Sequence, residues 1–270
     1  MSSTKGVRHE IATTVAGDLT KGIFDRTWAI FSTKWNGPRH PGDPISTPLT
    51  EEILILHFTG RSTTLRPMDT NIATDTRSRI IASAKSRFHS RSYANVGIQE
   101  ICENAGVQKG SFYHFFPSKR DLALAVIDEF ADDWANGFVA EAFDPALPPM
   151  ERIDYLIDAA YFWQKAIKQV HGRMLGCIFG NLTLEVSTQD DIMRAKLLAI
   201  FTLAKSRFKD ALDQAVAAGD IAPLDSALTA EAMLAYLEGV ILLAKSQNDP
   251  ELLYRLGPAI KTLRIELKSA

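Results

Sequence analysis

Lys109, Gly110, Ser111, Tyr113 and His114 fall within six residues, and Lys119 follows five positions on. No one of them is paired with a base or a metal-ligating neighbour, so the set does not read as a catalytic or metal centre. It reads as equipment for holding a polyanion. Ammonium groups and backbone N–H groups near helix N-termini hold phosphates, and imidazole, hydroxyl and phenol groups hydrogen-bond to phosphates or base edges. Phe112, Phe115 and Phe116 stand at i, i+3 and i+4, the spacing of a buried stripe. At about 100° per residue the opposite face carries Gly110 and His114, flanked by Ser111 and Tyr113. A glycine there leaves room for close backbone approach to DNA. Each residue has a blander alternative: a solvated His114, a Tyr113 packed at a domain edge, an ordinary surface lysine at 119, and a Ser111 evenly balanced between contact and packing.

Such a helix needs a scaffold, and the preceding sequence supplies one. Ile80, Ile81, Ala84 and Phe88 fall on one helical face, and Ile98, Ile101, Cys102 and Ala105 repeat the pattern. Gly106 separates the second and third helices, where a tight turn calls for positive φ. Ser118 and Asp121 form a capping box that opens a fourth, longer helix. Three short helices followed by a capped one predict a helix-turn-helix domain. Charge agrees. The whole chain has 30 Lys plus Arg against 32 Asp plus Glu, a net charge of −2. Between Thr76 and Asp121 eight cations (Arg77, Arg79, Lys85, Arg87, Arg91, Lys109, Lys119, Arg120) face three anions, which makes a basic head on an acidic body.

On these residues the sequence resembles the TetR family of bacterial transcriptional regulators. The match is strong over residues 75–124, above all in AGVQKGSFYHFFPSK from Ala105 to Lys119, and loose over the helical remainder. The segment GCIFGNLTLE, from Gly176 to Glu185, resembles a subgroup of that family typified by NemR and AcuR, sensors of reactive electrophiles and small organic acids. The resemblance implies that Lys109, Gly110, Ser111, Tyr113, His114 and Lys119 contact a double-stranded DNA operator. It also implies a dimer, and a small organic effector in the helical body that releases the DNA. Two positions depart from the family pattern. Val96-Gly97 stands where a hydroxyl pair is usual, which removes a phosphate contact, and Phe115 stands where a polar ring is usual.

The rest of the described pattern is helical. Prolines break the chain at residues 145–149. A helix is expected over 150–169, ending at His171-Gly172, and another over 175–186. A capping box at Ser187 and Asp190 should open a long helix to residue 218. A helix capped by Thr229 should run to 246, and a last one, begun by Asp249-Pro250, to 267. From Asp75 onward this predicts nine helices, no sheet and an all-α fold: an N-terminal helix-turn-helix domain, then a helical ligand-binding and dimerisation domain. Leu234, Leu237, Val240, Ile241 and Ala244 with Leu252, Leu256, Ile260 and Leu263 suggest a homodimer through the last two helices. Phe162, Trp163, Cys177, Phe179 and Met193 are the candidate ligand-binding residues, against the alternative that each is simply core. Cys177, at a helix start, has two readings: a thiol whose pKa the helix dipole lowers, or a packed cysteine beside the cavity.

Composition narrows the function further. Hydrophobic residues make up 46% and charged residues 23% of the 270, an ordinary globular balance that excludes collagen-like and wholly disordered chains. Cys102 and Cys177 form neither a CxxC nor a disulfide framework, which favours a reducing, cytoplasmic setting. The longest apolar stretch, 230–244, carries Glu231 and Glu238 and is too short to span a bilayer. The N-terminus lacks the apolar core of a signal peptide. With no nucleophile elbow and no phosphate-binding glycine loop, neither catalysis nor a cofactor is expected. The competing reading is a helical enzyme or interaction module without DNA activity. Five of the twelve prolines lie at 38–67, and Met68 stands just before the matched region. The expected boundaries are therefore an extension at 1–74 (disordered or a mis-assigned start, with a DNA-binding arm as the alternative), a helix-turn-helix domain at 75–121, and the body at 122–270.

Overall fold

A computed structural model describes residues 72–267. The expectations placed on residues 1–71 lie outside the described residues. The described chain is all-α, as the periodicity predicts. Its helices are α1 (Ile72–Ser90), α2 (Ile98–Ala105), α3 (Lys109–Phe115), α4 (Lys119–Asn136), α5 (Phe138–Ala142), α6 (Pro149–His171), α7 (Ile178–Val186), α8 (Asp191–Ala218), α9 (Ser226–Gln247) and α10 (Glu251–Leu256), followed by a 3-10 helix, Gly257–Thr262. The short α5 was not expected.

Local chemistry explains the ends that match. Gly106, Gly172 and Gly219 close α2, α6 and α8 in the left-handed region, with φ of 61°, 71° and 80°. Ser118 caps α4: its hydroxyl accepts from Asp121 N–H and donates to the Asp121 carboxylate at 2.6 Å. Three expected signals are corrected. The cap of α8 is Asp190, whose carboxylate accepts from the N–H groups of Ile192 and Met193, while Ser187 ends α7. The cap of α9 is Asp225 rather than Thr229. Thr229 is buried one turn inside, where its hydroxyl accepts from Ile265 N–H. The last helix stops at Leu256 instead of 267, because Pro258 has no N–H to continue the ladder; the 3-10 turn takes over and the chain then runs extended.

Packing divides into two buried clusters. One fills the body between α6, α8, α9 and α10, with Ile153, Tyr161, Phe208, Leu212, Met233 and Leu253 at its centre. The other is the core of the head, with Ile80, Ile101, Phe112, Leu122 and Ile127, and it continues without a break into Phe179 and Leu182 of α7 and Met193 and Leu197 of α8. The head therefore shares its core with the first half of the body.

The expected dimer face is also corrected. Leu237, Val240, Ile241, Ala244, Leu252 and Ile260 are buried inside their own chain, and Leu234 and Leu263 pack against the same cluster; of that set Leu256 is exposed. The large apolar residues left in solvent on these helices are Leu228, Leu242 and Leu243 of α9 and Ile192, Leu198 and Leu203 of α8. The cause is that α9 is apolar all round, so its periodicity does not say which side turns inward. By length and composition α9 passes as a membrane-crossing helix. It packs against α8, α10 and the 3-10 helix.

Candidate nucleic-acid interface and effector cavity

The turn between α2 and α3 is held from outside. Arg79 of α1 donates to the carbonyls of Ala105 and, at 2.8 Å, Gly106. A side chain on Gly106 would meet that guanidinium at 2.9 Å, besides the cost of its positive φ. Beneath the turn Phe112 and Phe116 are buried and Phe115 is half-buried, so the phenylalanine stripe anchors α3 as its spacing predicts. Opposite, Lys109, Gly110, Tyr113 and His114 are exposed and Ser111 is half-buried. Tyr113 is 46% exposed, a large aromatic face left in solvent. Nothing lies within 4 Å of where a Gly110 Cβ would stand, so protein packing does not require glycine there.

Lys119 sits differently from the others. Its Nζ lies 4.5 Å from the Tyr93 ring centre and donates to Ala94 O at 3.3 Å; partial burial lowers its pKa. It is fixed to the loop that precedes α2. The same loop is gripped from the body. The Glu185 carboxylate, in the last turn of α7, accepts from Tyr93 N–H at 3.0 Å and from Ala94 N–H. The cations of the head are partly committed: Arg87 and Arg91 face Glu100, Lys85 pairs with Asp133, and Arg120 lies 3.8 Å from Asp190.

Between the helices lies a cavity of about 770 Å³. Of the expected ligand residues, Trp163, Cys177 and Phe179 line it. Phe162 does not: its ring packs on Tyr161, at 4.9 Å between centres, against the body core. Nor does Met193, which is fully buried in the core shared by the head and α8. Residues that no local pattern marked supply much of the wall, among them Trp134, Phe138, Phe143 and Phe208, with Gln164, His89 and Glu238 as polar members.

These three of its polar members meet around the start of α7. Gln164 pairs with the backbone of Gly176 in both directions, its Nε2 donating to Gly176 O at 3.1 Å and its Oε1 accepting from Gly176 N–H at 3.2 Å. His89, from α1, is 3.1 Å from the same carbonyl through Nε2. A carbonyl only accepts, so that nitrogen carries the proton. Burial lowers the His89 pKa to about 4, and the ring is neutral. Cys177 caps α7, its Sγ accepting from Gly180 N–H at 3.4 Å. Of the two readings of Cys177, its place in the cavity wall fits the packed cysteine: burial, and the Glu238 carboxyl beside it, push its pKa well up. Glu238 is likewise shifted up by burial. The helix dipole at this position loses to desolvation. Among the described residues no group of three His, Cys, Asp or Glu is placed to hold a metal ion.

This architecture has known counterparts. Residues 80–126 match the family described as "Bacterial regulatory proteins, tetR family", and residues 149–260 match "Tetracyclin repressor-like, C-terminal domain". The transcriptional regulator AcuR of Cereibacter sphaeroides is 32% identical over 177 residues, spanning 65% of this chain and 78% of that protein. The HTH-type transcriptional repressor DhaR of Mycobacterium sp. is 29% identical over 179 residues, spanning 66% of this chain and 86% of that one. A crystal structure of a regulatory protein TetR from Rhodobacter sphaeroides superposes with a TM-score of 0.63 at 30% identity, over 70% of this chain and 99% of that chain.

Proposed function

The chain belongs to the TetR family of bacterial transcriptional regulators, and from that membership we propose that it is a repressor which binds a palindromic operator as a homodimer and leaves it when a small organic effector fills the cavity. One observation carries the proposal: α3 presents Lys109, Gly110, Tyr113 and His114 outward, with open space above Gly110, on a helix anchored by buried phenylalanines. In this reading His114 reads base edges and Gly110 admits the close approach. Lys109, Tyr113 and Lys119 hold phosphates, Lys119 swinging off the Tyr93 ring, and Ser111 contributes at the margin. The repressor sense is supported by the naming of DhaR, and the protein acts by binding rather than turnover.

The dimer in this proposal uses the exposed sides of α8 and α9 (Leu198, Leu203, Leu242 and Leu243), where exposed apolar residues gather, with α10 at the edge through Leu256. In this proposal the basic head, residues 75–121, is the DNA-binding unit, residues 122–270 carry the effector and dimer functions, and the compartment is the cytoplasm.

The test is a fluorescence-anisotropy titration of the full chain against duplexes from upstream of its gene, over a salt series. The expected result is salt-sensitive binding that prefers one palindromic site with half-sites about 34–36 Å apart. Binding no tighter than to random duplex would overturn the proposal.

A further inference from the structure

We propose that the N–H groups of Tyr93 and Ala94, with the Lys119 ammonium beside them, form a DNA-phosphate site that the free protein plugs with its own Glu185 carboxylate. This rests on the reading of the head as a DNA-binding unit, and adds to it a contact and a brake. The two oxygens of Glu185 go one to each of two successive N–H groups: Oε2 accepts from Tyr93 at 3.0 Å and Oε1 from Ala94. A phosphate can present two oxygens in the same way. Lys119 stands over the same two residues, its Nζ 4.5 Å from the Tyr93 ring centre and 3.3 Å from Ala94 O. The Glu185 charge offsets part of the burial that lowers the Lys119 pKa. Two successive backbone donors and an ammonium around one anion are the makings of a phosphate site.

The place in the head fits DNA. Ala94, Asn95 and Gly97 are exposed, and α2, which starts after Gly97, has no side-chain cap. Val96 and Gly97 bring no hydroxyl to this end of α2, so a strand passing here is held by backbone donors. The N–H of Asn95 is taken by Ser92 Oγ at 3.3 Å, whereas Tyr93 and Ala94 give theirs to an anion. Neighbouring carboxylates have other work. Glu100 pairs with Arg91 and Arg87, and Asp190 caps α8 and lies 3.8 Å from Arg120.

The exchange is close to balanced. Two N–H bonds to a carboxylate become two N–H bonds to a phosphate, and Glu185 returns to water. Glu185 therefore subtracts from affinity for every duplex without reading its sequence. The plug is delivered by the body. It sits in the last turn of α7, and the start of that helix, at Cys177, Ile178 and Phe179, is cavity wall.

The test compares wild type with Glu185→Gln, which is isosteric and uncharged, by anisotropy on the operator and on a random duplex over a salt series. Glu185→Gln is expected to bind both duplexes about three- to tenfold tighter, with their ratio unchanged and the salt slope steeper by about one unit. A carboxylate that merely positions the loop would give weaker binding when lost. Weaker or unchanged binding overturns the proposal, and so does a gain confined to the operator. Amide hydrogen exchange in Glu185→Ala reads the site itself. Tyr93 and Ala94 are expected to exchange fast in the free variant and to slow by about tenfold or more when duplex binds. Loss of a nearby negative charge alone would leave them fast in the complex, and that result overturns the proposal too. The two readings fail separately: a wild type without operator preference removes the repressor, while the random duplex still reports on the phosphate site.

Discussion

The recognition helix and the body use glycine in opposite ways. Around Gly110, on α3, nothing lies within 4 Å of a would-be Cβ. Around Gly257, between α10 and the 3-10 turn, the same atom would collide with Ile157 Cγ2. On α7 a Gly180 Cβ would stand 2.7 Å from the Glu238 carboxyl. The empty space at Gly110 has no use inside this molecule, and the filled space at Gly257 is the packing itself. At Gly110, which has no left-handed φ to explain it, the vacancy leaves the helix face open, whereas at Gly257 the neighbourhood is filled by the fold.

Substitutions at the two positions should therefore separate binding from stability. Gly110→Leu is expected to weaken operator binding by about 100-fold or more, on the order of 3 kcal/mol. Its thermal midpoint should hold or rise, since leucine favours a helix over glycine by up to about 1 kcal/mol. Anisotropy and thermal unfolding on one preparation check both halves, and loss of stability in step with binding would break the comparison. Gly257→Ala should do the reverse. Overpacking against Ile157 is expected to cost about 1–3 kcal/mol in chemical denaturation, with unchanged operator affinity for the folded fraction.

The junction between the two regions should respond to acid. The His89 pKa of about 4 lies below the ordinary 6.5, so the unfolded chain takes up the proton first as pH falls. Its contribution is fully present above pH 6.5 and is lost progressively down to about 4, by at most about 1.4 kcal/mol per pH unit. Lys85, Lys245 and His171 are the charged or titratable groups that add to the penalty. Unfolding free energies across that range should flatten in His89→Gln, and equal slopes in the two proteins would remove His89 from the account. The smallest effect is expected at Lys119. Its replacement by Ala should weaken binding to all duplexes alike and reduce the salt slope by about one unit.

The two regions also differed in how far the sequence revealed them. The α3 face, the Gly106 turn and the Ser118 cap were legible because each is fixed by residues a few positions apart. The cavity corner joins His89, Gln164, Cys177 and Glu238 from α1, α6, the start of α7 and α9, and no periodicity links residues so far apart. Trp163 and Phe162 are neighbours on an aromatic run, and about 100° of rotation puts one in the cavity and the other against the body core. Thr229 and Ser187 carry the right hydroxyls for caps, and nearby aspartates took the role. Glu185 stood out only as a carboxylate in a motif, and its grip on two backbone N–H groups needed the fold.

If the outward face of α3 reads DNA sequence, as proposed, His114 should carry specificity rather than general affinity. The most direct measurement compares wild type and His114→Ala on the operator and on a random duplex at one salt concentration. The operator is expected to lose about 1–3 kcal/mol of binding while the random duplex is bound as before. An unchanged ratio between the two duplexes would contradict it.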